Sequence, residues 1–270
     1  MNSIETPLQK AEKAIAEAEY IVIGAGAGLS TAAGIHYSGP DFQETFKDMI
    51  ERYGFTDLYT SSFYPFQSEE EKWAYWSRHI DYARFAPEGL PLYKKLLELV
   101  QGKEYFVITT NVDGQFIKAG FPEEKVFEVQ GDYGLMQCAT ACHPKRYSNE
   151  SLVKQMVARQ QDCRVPSELV PVCPVCGGPM EINVRKDRYF VEDERWHSRA
   201  NDYYHFLEKA KDKKLVLLEY GVGFNTPTII RLPFEKMAAT FPDTTLIRVN
   251  KDQQGVYFSD VKKFIELSAI

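Results

Sequence analysis

The stretch "YIVIGAGAGLSTAAGI", residues 20–35, limits what this chain can fold into more than any other. An apolar, β-branched run that breaks into Gly24, Gly26 and Gly28, then continues in small residues, reads as a strand entering a helix through a tight turn. Glycine at such a turn lets backbone N–H groups come close to a phosphate, with a helix N-terminus behind them. The dinucleotide fingerprint wants a third glycine or an alanine at position 29, where this chain has Leu29, and no acidic residue closes a second strand about 20 residues later. The loop therefore points to a phosphate-bearing ligand held by a different loop family, or to a plain strand-to-helix turn.

Four further runs have strand character: "YFVITTN" (105–111), "VFEV" (126–129), "KLVLLEYGVG" (214–223) and "TTLIRVN" (244–250). Helical patterns lie between them. "LPLYKKLLELV" (90–100) carries apolar residues at helical spacing, and "DVKKFIELSAI" (260–270) reads the same way. Alternating strands and helices predict an α/β fold with a parallel sheet covered on both faces. Residues 36–90 hold no clear strand, and Trp73, Trp76 and Ile80 share one helical face there, a core-packing pattern. Residues 134–195 carry all five cysteines. Both stretches read as insertions that build one small helical and metal-binding module, against a Rossmann-like domain made of 1–35, 91–133 and 196–270.

The cysteines define the second constraint. Cys138-x-x-x-Cys142 and Cys173-x-x-Cys176 each present two thiolates from one turn, and together they complete a tetrahedral zinc shell. Four thiolates leave no open position for water, so the expected zinc is structural. Cys163 is left over and could replace one of the four; His143, beside Cys142, is a further substitute ligand.

Composition excludes more than it specifies. A net charge of −6 argues against nucleic acid or an anionic membrane as the main partner. No apolar run approaches the roughly 20 residues that span a bilayer. The N-terminal "MNSIETPLQKAEKAIAEAEY" is an amphipathic helix of mixed charge rather than a secretory signal. Thiols paired for metal ligation fit a reducing compartment, and the expected location is the cytoplasm.

The sequence order of a "GAG" loop, "PDF", "TTNVDG", a strand leading to a glycine turn, two cysteine pairs, and late "YGVG" and "VN" resembles the sirtuin family along nearly the whole chain. The resemblance implies an NAD-consuming enzyme with a Rossmann-like large domain and a zinc-bearing small one. It implies Gly24, Ala25 and Gly26 along the pyrophosphate, and Asp41 and Phe42 near the nicotinamide end. It also implies Asn111 and Asp113 at the nicotinamide and its ribose, and Gly221 and Asn250 at the phosphate and adenosine ribose. Three departures stand out. "HYSG" (36–39) separates "AGI" from "PDF", Gln43 replaces an expected arginine, and Gln130 in "EVQG" replaces the usual histidine. Together they resemble the macrodomain-linked (class M) microbial sirtuins, associated with protein ADP-ribosylation.

Glutamine decides the expected chemistry. An imidazole can take a proton from a ribose hydroxyl because it titrates near neutrality; a carboxamide can orient that hydroxyl but cannot keep the proton. Losing a general base costs roughly 10²–10⁴-fold, which would cripple deacylation. Breaking the bond from C1′ to nicotinamide needs only positioning and electrostatic support. The expected activity is therefore NAD-dependent mono-ADP-ribosyl transfer to a side chain of a partner protein, with Asn111, Asp113 and Gln130 as the catalytic set. The resemblance implies a lipoyl-carrier acceptor related to the glycine-cleavage H protein, a macrodomain hydrolase that reverses the modification, and a link to oxidative stress. Two alternatives stand beside this reading: a deacylase or NAD hydrolase with a substituted base, His36 being the histidine beside "PDF", and a non-catalytic NAD or ADP-ribose sensor.

Overall fold

The computed structural model describes residues 5–252 and 255–268. Its strands are β1 (Tyr20–Ala25), β2 (Glu104–Thr109), β3 (Val126–Glu128), β4 (Gly131–Cys138), β5 (Arg146–Ser148), β6 (Met180–Val184), β7 (Leu215–Tyr220), β8 (Thr244–Asn250) and β9 (Phe264–Ser268). The helices up to the middle of the chain are α1 (Pro7–Glu17), α2 (Ala27–Ala33), α3 (Pro40–Thr45), α4 (Lys47–Tyr53), α5 (Leu58–Ser61), α6 (Glu69–Ile80) and α7 (Pro91–Val100). They are followed by α8 (Gln115–Lys118), α9 (Glu150–Arg159), α10 (Glu194–Ala210) and α11 (Arg231–Thr240).

Six strands form one parallel sheet in the order β3-β2-β1-β7-β8-β9. Alternation along each strand sends its apolar side chains to two opposite cores. In β1, Ile21 and Ile23 face Leu96, Val100 and Ala11, while Val22 faces Phe234, Leu217 and Ile108. The first core lies under α1 and α7, and the second under α10 and α11. Both faces are thus covered, as a sheet of nearly unbroken apolar strands requires.

The helix starts carry the expected local chemistry. Thr6 and Gln9 form a capping box at α1 with Pro7 in the first turn. Ser68 accepts from the Glu71 N–H at the start of α6, and acidic Glu69, Glu70 and Glu71 sit at the positive end of that helix dipole. The last turn of α6 widens into a π-helical segment, Asp81–Phe85, a rare geometry that re-aims side chains.

A second, antiparallel sheet, β5-β4-β6, shares a separate core with α3, α4, α6 and α9. Trp73 and Ile80 are buried in it, and Trp76 packs against it with its ring stacked on His79 at 5.1 Å.

The expected helix over 260–270 is not there. Phe264–Ser268 is the strand β9, hydrogen-bonded in parallel to β8, and residues 269–270 lie outside the described residues. The physical reason is the edge of β8, which would otherwise leave its N–H and C=O groups unpaired. The period of two is visible afterwards: Ile265 and Leu267 pack on the α1 side, Phe264 on the other.

Candidate functional site

Because the six strands are parallel, their C-terminal ends gather Gly26, Asn111, Gln130, Gly221 and Asn250 along one edge. Strand order reverses between β1 and β7, where open α/β sheets form their ligand crevice. There the two glycine loops meet. Gly28 N–H donates to Gly221 O at 2.9 Å, and Gly26 N–H to Tyr220 O at 3.1 Å. A Cβ on Gly26 would lie 2.7 Å from Gly221 O, and one on Gly221, whose φ is +63°, would lie 2.2 Å from Leu29 N. These glycines therefore serve close backbone approach between loops, and their N–H groups are already occupied. Gly24 lies within β1 and leaves room for Ile230 and Phe234. Ala25 is buried, with its carbonyl accepting from Thr110 N–H at 3.0 Å and Thr109 Oγ1 at 3.1 Å.

Asn111 is buried at the crevice floor. Its Nδ2 donates to Gly26 O at 3.0 Å and to Tyr93 Oη at 3.4 Å, which fixes the carboxamide and leaves Oδ1 with no donor among the described residues. Asp113 is also buried; Ser30 Oγ donates to its Oδ2 at 2.5 Å and Gln115 N–H to its Oδ1 at 3.0 Å. Burial pushes the Asp113 carboxyl above the usual carboxylate range, against those two hydrogen bonds. Asp113 thereby ties the "TTNVDG" turn to α2.

Gln130 sits in the turn between β3 and β4. Its carbonyl accepts from Arg185 N–H at 2.9 Å, while its side-chain Oε1 is buried and has no hydrogen-bond partner among the described residues. An orphaned acceptor of this kind fits a ligand hydroxyl. Among the described residues no histidine side chain hydrogen-bonds Asn111, Asp113 or Gln130. His36 is exposed, its backbone N–H held by Tyr82 Oη at 3.2 Å.

Asn250 closes β8 and donates from Nδ2 to Val222 O at 3.0 Å, joining the last loop to the "YGVG" turn. Asp41 is exposed in the first turn of α3, whereas Phe42 is buried and stacked on Phe46 at 5.4 Å. Phe42 thus belongs to the core of the second sheet. The "HYSG" insertion brings Tyr37 Oη to 3.4 Å from Tyr133 Oη, beside the turn that carries Asp113.

Four polar residues that sequence reasoning passed over complete the site: Ser30, Tyr93, Arg84 and Asp132. Arg84, from the π-helical segment, donates from Nε to Asp132 Oδ1 at 2.7 Å and from Nη2 to Oδ2 at 3.1 Å, while its guanidinium lies against Gly114. Only Ser30, directly after the glycine loop, carried a signal in its position.

The cysteine cluster fits zinc. Cys138 Sγ lies 3.7 Å from Cys176 Sγ, and Cys142 Sγ lies 3.7 Å from Cys173 Sγ. Zinc–sulfur bonds of about 2.3 Å at tetrahedral angles put sulfurs roughly 3.8 Å apart. Cys138, Cys142, His143 and Cys173 also form a compact donor group. His143 Nδ1, however, is 3.1 Å from Cys142 Sγ, closer than the roughly 3.6 Å that two ligands of one zinc would keep, while its Nε2 pairs with Tyr147 Oη at 2.8 Å. His143 is placed to hydrogen-bond a ligand sulfur. Cys163 is buried elsewhere, 3.4 Å from Asp48 Oδ2.

A parallel sheet with its crevice at the strand ends, beside a second small sheet that carries a four-cysteine cluster fit for zinc, defines the class of Rossmann-like proteins with a cysteine-bearing insertion. The chain belongs to the Sir2 family, whose model matches residues 26–214. It is 40% identical to a protein ADP-ribosyltransferase of Staphylococcus aureus, over 94% of this chain and 81% of that one. It is 32% identical to a probable bifunctional ADP-ribose hydrolase/ADP-ribosyltransferase of Fusarium oxysporum, over 87% of this chain and 41% of that one. A Sir2 homologue solved as an NAD complex shares the fold, with a TM-score of 0.60 at 19% identity over 96% of this chain and 87% of that one. Among the described residues no helix is long and apolar enough to cross a membrane.

Proposed function

We propose that this protein transfers a single ADP-ribose from NAD to a side chain of a partner protein and releases nicotinamide. The observation that carries the reading is Gln130: its carboxamide oxygen is buried and unpartnered, at the sequence position where the family resemblance expects a titrating histidine. Asn111 Oδ1, on a carboxamide held by Gly26 O, and the unpartnered Gln130 Oε1 are two acceptors for ribose hydroxyls, and neither can hold a proton. NAD supplies a C1′ whose bond to nicotinamide breaks with the electron pair leaving on the ring. Asn111 positions that end of the ligand, Asp113 holds its turn in place through Ser30, and Gly26, Gly221 and Asn250 shape the phosphate and adenosine end. In the same proposal Ala25 and Asp41 border the cofactor, while Gly24 and Phe42 support it from behind, Gly24 by leaving room for Ile230 and Phe234 and Phe42 by packing in the core of the second sheet.

The relatives named as ADP-ribosyltransferases support this reading, and the one that also carries an ADP-ribose hydrolase in its name supports a hydrolase that reverses the modification. A lipoyl-carrier protein is the acceptor to test first. Structural zinc on Cys138, Cys142, Cys173 and Cys176 orders the second sheet, and we infer that residues 36–90 and 134–195 form one module around it. The thiolate set fits a reducing compartment such as the cytoplasm. The experiment is mass spectrometry of candidate acceptors after incubation with NAD, comparing wild type with Asn111→Ala. A mass gain of one ADP-ribose that vanishes in the variant is expected. Deacylation of an acyl-lysine peptide without acceptor labelling overturns the proposal.

A further inference from the structure

Glu128 ends β3 two residues before Gln130, and its Cα pairs in register with Thr109, two residues before Asn111. Phe127 faces α10, so Glu128 lies with Val126 on the opposite face of the sheet, where α8 packs through Phe116 and Ile117. The residue as a whole is partly exposed but its carboxyl is enclosed, and no donor among the described residues hydrogen-bonds it. No part of the transfer scheme above uses it.

The surrounding charges do not balance. Glu128 shares its neighbourhood with Asp113, Asp132, Arg84 and Arg146. Arg84 is committed to Asp132 through both carboxylate oxygens, and Arg146 donates from Nε to Asp193 at 2.7 Å. Lys118, the next cation, is spent on the carbonyls of Arg84, Phe85 and Pro87. Two carboxyls, Asp113 and Glu128, are left without a cation of their own. Asp113 receives hydrogen bonds from Ser30 and Gln115, which favour its charged form, and Glu128 receives none. The proton that relieves the repulsion therefore resides on Glu128.

We propose that Glu128 is the proton acceptor of the transfer step, the role that Gln130 cannot fill. As the acceptor side chain X–H attacks C1′, the C1′–X bond forms and the C1′–nicotinamide bond breaks with its electron pair on nicotinamide. The proton of X–H passes to the Glu128 carboxylate and afterwards to solvent. Burial, then Asp132, push the Glu128 carboxyl up to about 8, so the carboxylate form is a minority at neutral pH and a stronger base than an ordinary glutamate. This inference rests on the transferase reading for the identity of X–H, but the titration of Glu128 does not.

The test uses wild type, Glu128→Gln and Glu128→Asp. Without NAD, the difference in urea stability between wild type and Glu128→Gln, followed from pH 5 to 9, reads the Glu128 ionisation. A carboxyl raised in the folded state contributes stability that is lost as pH rises toward 8, so wild type should lose stability relative to Glu128→Gln over that range. With NAD and acceptor, wild-type nicotinamide release should rise with pH to a limb near 8. Glu128→Gln should lose that limb and fall by roughly 10²–10⁴-fold while NAD affinity stays within about threefold. Glu128→Asp should keep a limb at a lower rate. An unchanged limb and rate in Glu128→Gln, or in Glu128→Asp should the glutamine variant fail to fold, overturns this proposal alone. Absence of acceptor labelling by wild type overturns the transferase reading and the base role with it, whatever the unfolding curves show.

Discussion

The Ser30 hydroxyl donates to Asp113 Oδ2 at 2.5 Å, joining the helix after the glycine loop to a turn 83 positions away. Both residues are buried, so the bond holds a carboxylate that would otherwise be poorly solvated. Ser30→Ala should cost about 1–3 kcal/mol, the penalty for stripping a partner from a buried charged group. At roughly 2–4 °C per kcal/mol for a domain of this size, a thermal melt should fall by several degrees. Nicotinamide release should fall as well, because the Asn111–Asp113 turn loses its tether. A melt unchanged within a degree would show that Asp113 is anchored by Gln115 alone.

Much of this site was legible because it lies at strand ends. Gly26, Asn111, Gly221 and Asn250 each close or follow an apolar run, and a parallel sheet brings such ends together without further information. The cysteine pairs were legible for the same local reason. What pairs with them was not: Ser30 finds Tyr93 across 63 positions, and Arg84 reaches Asp132 across 48. Those contacts depend on how α7 and the π-helical segment pack, which no local spacing encodes. The β9 error has a related origin. In "FIELS" helical and alternating patterns coexist, and the open edge of β8 decided between them.

Zinc removal should separate the two sheets' fates. Binding to four thiolates contributes on the order of 10–16 kcal/mol at neutral pH, and that energy is folding energy for β4, β5, β6 and the turns that carry the cysteines. Metal analysis of purified protein should give one zinc per chain. Cys176→Ser should lower that occupancy and expose the second core to limited proteolysis, while the parallel sheet stays protected. His143→Ala should keep its zinc, since Nδ1 sits beside a ligand sulfur rather than at the centre. Zinc loss in His143→Ala equal to that in Cys176→Ser would place the imidazole in the shell.

Stability on the acid side should depend on His79. The imidazole is fully buried, with Nδ1 3.1 Å from Tyr75 Oη and Nε2 unpartnered among the described residues. Burial pushes it down to about 3. The unfolded chain takes up this proton near 6.5 and the folded one does not, so the stability the neutral ring provides is present above 6.5 and lost as pH falls toward 3. The slope approaches about 1.4 kcal/mol per pH unit. Followed by urea unfolding from pH 7 to 5, wild type should lose stability relative to His79→Asn, which is weaker throughout. Parallel slopes for the two proteins would mean that other groups govern acid unfolding.

Gln130→His tests what separates this site from a deacylase. The substitution places a ring that titrates near neutrality just after β3, at the same strand-end edge as the fixed Asn111 carboxamide. If the acyl-lysine channel is otherwise intact, deacylation of an acetyl-lysine peptide should rise by roughly 10²-fold or more, the usual contribution of a general base. Acceptor labelling should fall in the same variant, because water and the acyl oxygen then compete for C1′. The assay pairs peptide mass spectrometry with nicotinamide release at fixed NAD. A gain in deacylation with labelling reduced means that one residue divides the two outcomes. No gain at all means that the path an acyl-lysine would take has itself changed.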